Sequence, residues 1–307
     1  CEKIRKHYSG EFNIPYKNIP RSSLDGRAER ITAYLNTVSE IVSQKFEELK
    51  KMPLFSDSEK DRYFGLLPDD NPLKKSYQFI SSLGDKETRD QHIREITEKM
   101  TPGAIDVNIM AKVDALRNDS NGEPMSSEFS DASAALRGFA NSKLESSVVL
   151  SAGFNPRLYN YLAEFKDFYR DQSGKIKKKI ILKVSDFRSA LIQGKYMAKK
   201  GLEVAEFRIE SGLNCGGHAF ASDGQLLPVL LLEFREKKNQ LQKSFQPMIQ
   251  NFYEAQGWDY PTEDTDVAHP RITVQGGIGT HGELRRLMQD FKVDATGWGS
   301  PFLLVPE

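Results

Sequence analysis

Apolar and polar positions along the chain change rhythm near Pro102-Gly103. Before that point they keep helical spacing. Ile31, Tyr34, Leu35, Val38, Ile41, Val42, Phe46 and Leu49 recur at i, i+3, i+4 and i+7. That stripe predicts an amphipathic helix over 27–52, stopped by Pro53. Two prolines, Pro15 and Pro20, make 13–23 irregular. Residues 54–73 read as loop with one helical turn, and helices are predicted over 74–83 and 86–100. Residues 1–101 are therefore expected to form a helical accessory region.

Beyond Pro102, short β-rich runs alternate with helix-length stretches. Strands are predicted at 104–110, 147–152, 179–184, 203–209, 271–275 and 293–297, and helices at 130–144, 158–169, 185–200 and 226–241. Gly201 is expected as the glycine that ends the third of these helices, and Gly194 as a site of close helix packing. The segment 242–270, helical at 244–256, is expected as an insertion over the mouth of the fold. Alternation of this kind marks a parallel sheet with helical crossovers. The predicted class is α/β, a TIM-type (β/α)8 barrel over 102–307 with six of its strands recognisable.

The last stretch, 271–307, concentrates the chemistry. A β-branched strand ends in Gln275-Gly276-Gly277-Ile278-Gly279, and Thr280 with Glu283 forms the pattern of a capping box that opens a helix. A second strand then breaks into Gly297-Trp298-Gly299-Ser300. Bare amides at a glycine turn, together with a helix N-terminus, favour an anion, most often a phosphate. In (β/α)8 barrels such a site is built by the loops after the last two strands. The plainer alternative is that these glycines only make tight connections.

Charge and composition narrow the partners. Lys+Arg and Asp+Glu are equal at 43 each, so no field favours nucleic acid or an anionic membrane, and neither is expected as a partner. No apolar run approaches the length of a membrane span, the longest being Leu226 to Leu232. Two cysteines, Cys1 and Cys215, are too few for a disulfide framework or a cysteine metal site. A cytoplasmic location and a small-molecule substrate are the expectation, with no metal site and the oligomeric state left open. The chain opens on Cys1 rather than Met, so it is expected to begin within a longer polypeptide.

Parallel strands gather their C-terminal loops on one face. Those loops carry Asn108, Lys183, the run Asn214-Cys215-Gly216-Gly217-His218, Gly276, Gly277 and Gly299 with Ser300. His218 is the candidate acid or base, because imidazole titrates near neutrality and a Gly-Gly lead-in leaves it free to reach a ligand. The alternative is a loop histidine bonded to a carbonyl. Cys215 reads as a small packing residue, and Lys183 as either a ligand contact or a solvated lysine. His281 reads as an exposed first-turn residue.

The segments GLEVAEFRIESGLNCGGHAF and RITVQGGIGTHGELRRLMQDFKVDATGWGSPFLLVPE resemble the nitronate monooxygenase (2-nitropropane dioxygenase-like) family of FMN-dependent TIM barrels. The resemblance covers about residues 104–307. It implies FMN as cofactor and His218 as the base that takes the substrate α-proton. It further implies Gly216 and Gly217 near the flavin ring, Asn108 beneath it, and Gly276, Gly277, Gly299 and Ser300 at the phosphate; Lys183 at its strand end and Gly279 and Gly297 of the glycine loops are the further expected cofactor contacts. Departures from the family include the long 242–270 insertion and the lack of the family's closing segment after the last strand. The family's first two strands are not recognisable in 1–100, and Asn214-Cys215 stands where the family has Glu-Ala.

The function expected from sequence is thus a flavin-dependent oxidoreductase of the nitronate monooxygenase type. Two alternatives stay open: a phosphate-ligand barrel of another class, such as an aldolase or isomerase using Lys183, and a degenerate, non-catalytic barrel that serves as a binding module.

Overall fold

The computed structural model describes residues 2–109, 114–119, 121–151, 153–210, 227–260, 269–276 and 278–297. They fall into two compact units, one of residues 1–18 with 33–104 and one of 19–32 with 105–307.

The first unit is helical. It holds α1 (Glu2–Glu11), the part of α2 (Gly26–Lys51) from Ala33 onward, α3 (Glu59–Leu66), α4 (Pro72–Ser81) and α5 (Lys86–Glu98). Phe64, Ile80, Ile96 and Met100 form its core, with Phe46, Leu49, Tyr63 and Tyr77 packed around them. Helix α3 occupies part of the stretch expected to be mostly loop. Its start is fixed by a capping box in which Ser58 accepts from the Asp61 amide and Asp61 accepts from the Ser58 amide. Burial of Phe64 then holds it down. The Asp61 carboxylate also accepts from the amides of Phe55 at 2.7 Å and Ser56 at 3.0 Å and from the Tyr77 hydroxyl at 3.0 Å. Burial alone would raise this carboxyl; the backbone amides of Phe55, Ser58 and Ser56 and the Tyr77 hydroxyl outweigh it and hold the pKa down to about 2.

The second unit is α/β. Its six strands are β1 (Val107–Ile109), β2 (Ser147–Leu150), β3 (Lys179–Val184), β4 (Val204–Glu210), β5 (Arg271–Gln275) and β6 (Ala295–Gly297). They form one parallel half-barrel sheet in the order β1-β2-β3-β4-β5-β6. Each predicted strand is present, shortened at some ends. A sequential order without reversal is the order in which crossovers of the usual right hand place the connecting helices on one side of a parallel sheet. These are α6 (Asp131–Ala140), α7 (Pro156–Leu162), α8 (Phe187–Ala198), α9 (Leu227–Gln256) and α10 (His281–Gln289). The segment 19–32 docks on α6: Asp25 pairs with Arg137, Arg27 with Asp131, and the Thr32 hydroxyl donates to the Gly138 carbonyl at 2.9 Å.

Helix α9 differs from the expectation of a break near 242. It runs unbroken for 30 residues. Leu231, Phe234, Leu241, Phe245, Ile249 and Tyr253 are all buried along it, a single helical face that continues through the charged middle. That face packs on α8. A Cβ at Gly194 would lie 2.2 Å from Phe245 Cζ, and one at Gly201 would lie 2.1 Å from Phe252 Cδ1. Two glycines seven residues apart thus receive two phenylalanines seven apart, so α8 and α9 run in the same direction. Gly201 has φ +72°. It closes α8 as the left-handed residue of a Schellman turn, with the amide of Leu202 reaching the Met197 carbonyl and that of Gly201 reaching Ala198.

Candidate functional site

Register sorts the sheet into two faces, because partners in a parallel ladder point the same way and neighbours along a strand alternate. One face carries Val148, Leu150, Ile180, Leu182, Val184, Phe207, Ile209, Ile272 and Val274, all buried. Phe207 meets Phe245 of α9 with ring centroids 6.0 Å apart, which makes this the helix-covered side.

The other face carries Asn108, Val149, Ile181, Lys183, Glu206, Arg208, Arg271, Thr273, Gln275, Ala295 and Gly297. Val149 and Ile181 are its apolar part, whereas β4 and β5 present polar groups along this face from Glu206 and Arg271 to Gln275. Lys183, Arg208 and Thr273 are neighbours in register across three strands, as are Gln275 and Gly297 across two. Glu206 is 7% exposed and Thr273 4%. The Thr273 hydroxyl donates to Glu206 Oε1 at 2.6 Å, and Arg208 Nε donates to the same oxygen at 2.8 Å. A buried carboxylate is thereby paired with both a cation and a hydroxyl, as burial demands. Lys183 is itself partnered.

The ends of β5 and β6 are adjacent. The Gly276 amide donates to the Gly297 carbonyl at 3.3 Å. Gly276 has φ +89°, where a side chain is strained, and Gly297 has no room for one: its Cβ would lie 2.7 Å from Gln275 Cγ. Just beyond, the capping box of α10 is in place, the Glu283 carboxylate accepting from Gly279 at 2.8 Å and Thr280 at 2.9 Å. Those bonds, from the Gly279 amide first and then the Thr280 hydroxyl and amide, hold the Glu283 carboxyl below its usual range. The start of α10 thus carries an anion of the chain's own.

Of the residues singled out from sequence, Asn108, Lys183 and Gly297 share the polar face, and Gly276 joins Gly297 at its edge. Gly279 lies exposed one bend further on, its amide directed to Glu283. His281 is exposed on the first turn of α10. Gly216, Gly217, His218, Gly277, Gly299 and Ser300 lie outside the described residues, as does Cys215. Sequence reading passed over Glu206, Arg208, Thr273 and Gln275. The signal was present as strict alternation, Glu-Phe-Arg-Ile-Glu in β4 and Ile-Thr-Val-Gln in β5, which puts every polar residue on one side of a strand.

Other buried ionisable groups sit away from this edge. Arg170 and Glu203 form a bidentate pair, both side chains 6% exposed, at the start of β4. Lys178, immediately before β3, is fully buried and donates to the carbonyls of Ser142 at 2.7 Å and Leu144 at 2.8 Å. Both belong to the N-terminal end of the strands, the end that serves stability in folds of this kind. Among the described residues no cluster of His, Cys, Asp and Glu could hold a metal ion, and no helix is long and apolar enough to cross a membrane.

The fold and site define a class: an α/β protein with a sequentially ordered parallel half-barrel sheet, helices on one face and a polar C-terminal edge on the other. Comparison of the chain with family models, curated proteins and solved structures finds no match.

Proposed function

We propose that this chain is a flavin-dependent oxidoreductase of the nitronate monooxygenase type, built on a (β/α)8 barrel of which β1 to β6 are one arc. The observation that carries the reading is the meeting of the β5 and β6 ends, where Gly276 bonds to Gly297 beside the polar face. Bare-backbone bends after adjacent C-terminal strands are where such barrels hold a phosphate.

The residues fit FMN in part. Lys183, Arg208, Gln275 and Asn108 offer donors on one face to an anionic, polar ligand. The Gly279 amide is not among the donors while Glu283 accepts from it. Gly277, Gly299 and Ser300 would then hold the phosphate, with Gly276 and Gly297 shaping the bend because the Gly276 amide already donates to the Gly297 carbonyl, and Asn108 and Lys183 along the ring. Bound FMN would supply the electron-accepting ring. His218, on the resemblance of its Gly-Gly-His run, would take the proton from the substrate's activated carbon.

The test is a visible spectrum of the purified chain, before and after incubation with FMN. Bands of oxidised flavin are expected, with turnover of a nitronate lost in His218→Ala while the flavin stays bound. A colourless protein that also fails to take up FMN overturns the reading.

A further inference from the structure

On the polar face one guanidinium is held by a single hydrogen bond among the described residues. Arg208 uses its Nε for Glu206 at 2.8 Å, and among the described residues neither Nη group has a partner. Its side chain is only 16% exposed, against 9% for Glu206. A long side chain rarely loses that much solvent and freedom for one hydrogen bond. Glu206 in turn is fixed by the Thr273 hydroxyl at 2.6 Å from the neighbouring strand. The carboxylate therefore sets the plane of the guanidinium, and two rigid strands set the carboxylate. The four N–H groups on Nη1 and Nη2 form the fork that matches a planar or tetrahedral oxyanion in a bidentate way.

We propose that Arg208 is the oxyanion-binding residue of this site, positioned by Glu206 and Thr273. Its ligand is a carboxylate-like group of the substrate or the phosphate of the cofactor. The register brings Lys183, itself partnered, alongside Arg208. Arg208 lies two residues before the end of β4, the strand that leads into the loop with His218. The assignment to a redox reaction rests on the proposed function; the assignment of an oxyanion does not.

Titration calorimetry on the full chain, with and without FMN, tests it, using benzoate and inorganic phosphate as probes. Arg208→Lys keeps the charge and loses the fork. Glu206→Gln with Arg208→Gln removes both charges together, so that no buried carboxylate is left unpaired, and circular dichroism confirms that it folds. In both variants the affinity for at least one probe is expected to fall roughly ten- to hundredfold. If phosphate is the probe that weakens and the preference for FMN over riboflavin falls with it, the ligand is the cofactor's phosphate. If benzoate weakens while FMN binding is unchanged, it is the substrate's carboxylate. A chain that takes up no flavin yet loses benzoate or phosphate binding on substitution keeps the Arg208 site and rejects the flavin reading. Wild-type protein that binds neither probe, or affinities unchanged in both variants, overturns the proposal.

Discussion

Gly194→Ala sets two effects against each other with known signs. Inside a helix, alanine in place of glycine ordinarily stabilises by about 1 kcal/mol. Here the added Cβ would lie 2.2 Å from Phe245 Cζ and 2.7 and 2.8 Å from Cε2 and Cε1. Carbon contacts rest near ~3.5–4.0 Å, so the overlap is roughly 1.3–1.8 Å at Cζ and roughly 0.7–1.3 Å at the two Cε atoms. The ring has nowhere to go: Phe245 is 6% exposed, and its other side faces Phe207 of β4. Overpacking of this kind costs about 1–3 kcal/mol, toward the upper end for a rigid ring. The clash therefore wins, and a net loss of about 1–2 kcal/mol is expected. Urea unfolding of the full chain, followed by far-UV circular dichroism, reads it as a lower midpoint for the α/β unit. Phe245→Leu supplies the control, because shortening the ring makes room for the methyl. In that background Gly194→Ala should become neutral or stabilising. A higher midpoint for Gly194→Ala alone, or an equal loss in both backgrounds, refutes the reasoning.

Two further outcomes follow from buried or bonded charges. Asp61 has a folded-state pKa of about 2 against an ordinary 3.8; the unfolded chain binds its proton more readily, so the contribution is complete above pH ~4 and disappears as pH falls toward ~2. Acid titration of ellipticity should show this decline in the helical unit and a shallower one in Asp61→Asn; identical slopes would remove the argument. Glu203→Gln leaves Arg170 buried without its charge partner and should cost roughly 3–5 kcal/mol, while Glu203→Leu with Arg170→Met should recover most of it; equal unfolding midpoints for the single variant and wild type would show the pair to be dispensable.

What the sequence by itself determined is local. The six strands are legible because short β-rich runs, three to seven residues long in the fold, stand between helix-length stretches, and their pattern needs no distant contact. The caps are legible for the same reason: Thr280 with Glu283 and Gly201 act within one turn of the chain. Alternation, too, was written in β4 and β5.

Tertiary structure decided the rest. Helix α3 needed the Phe64 core, and the continuity of α9 needed the surface of α8 on which Phe245 and Phe252 seat. Nothing in Glu206, Arg208 or Thr273 taken singly marks them as a group; strand pairing joins residues 67 positions apart, as in the Thr273 to Glu206 bond of 2.6 Å. At α10 the capping box read from sequence already sets Glu283 against the Thr280 amide; the fold adds that the same carboxylate also accepts from the Gly279 amide, which removes that donor from the glycine bend. Spacing along a chain fixes which groups can meet within a turn; which charges share a buried face depends on register, and register is set by the packing of the whole sheet.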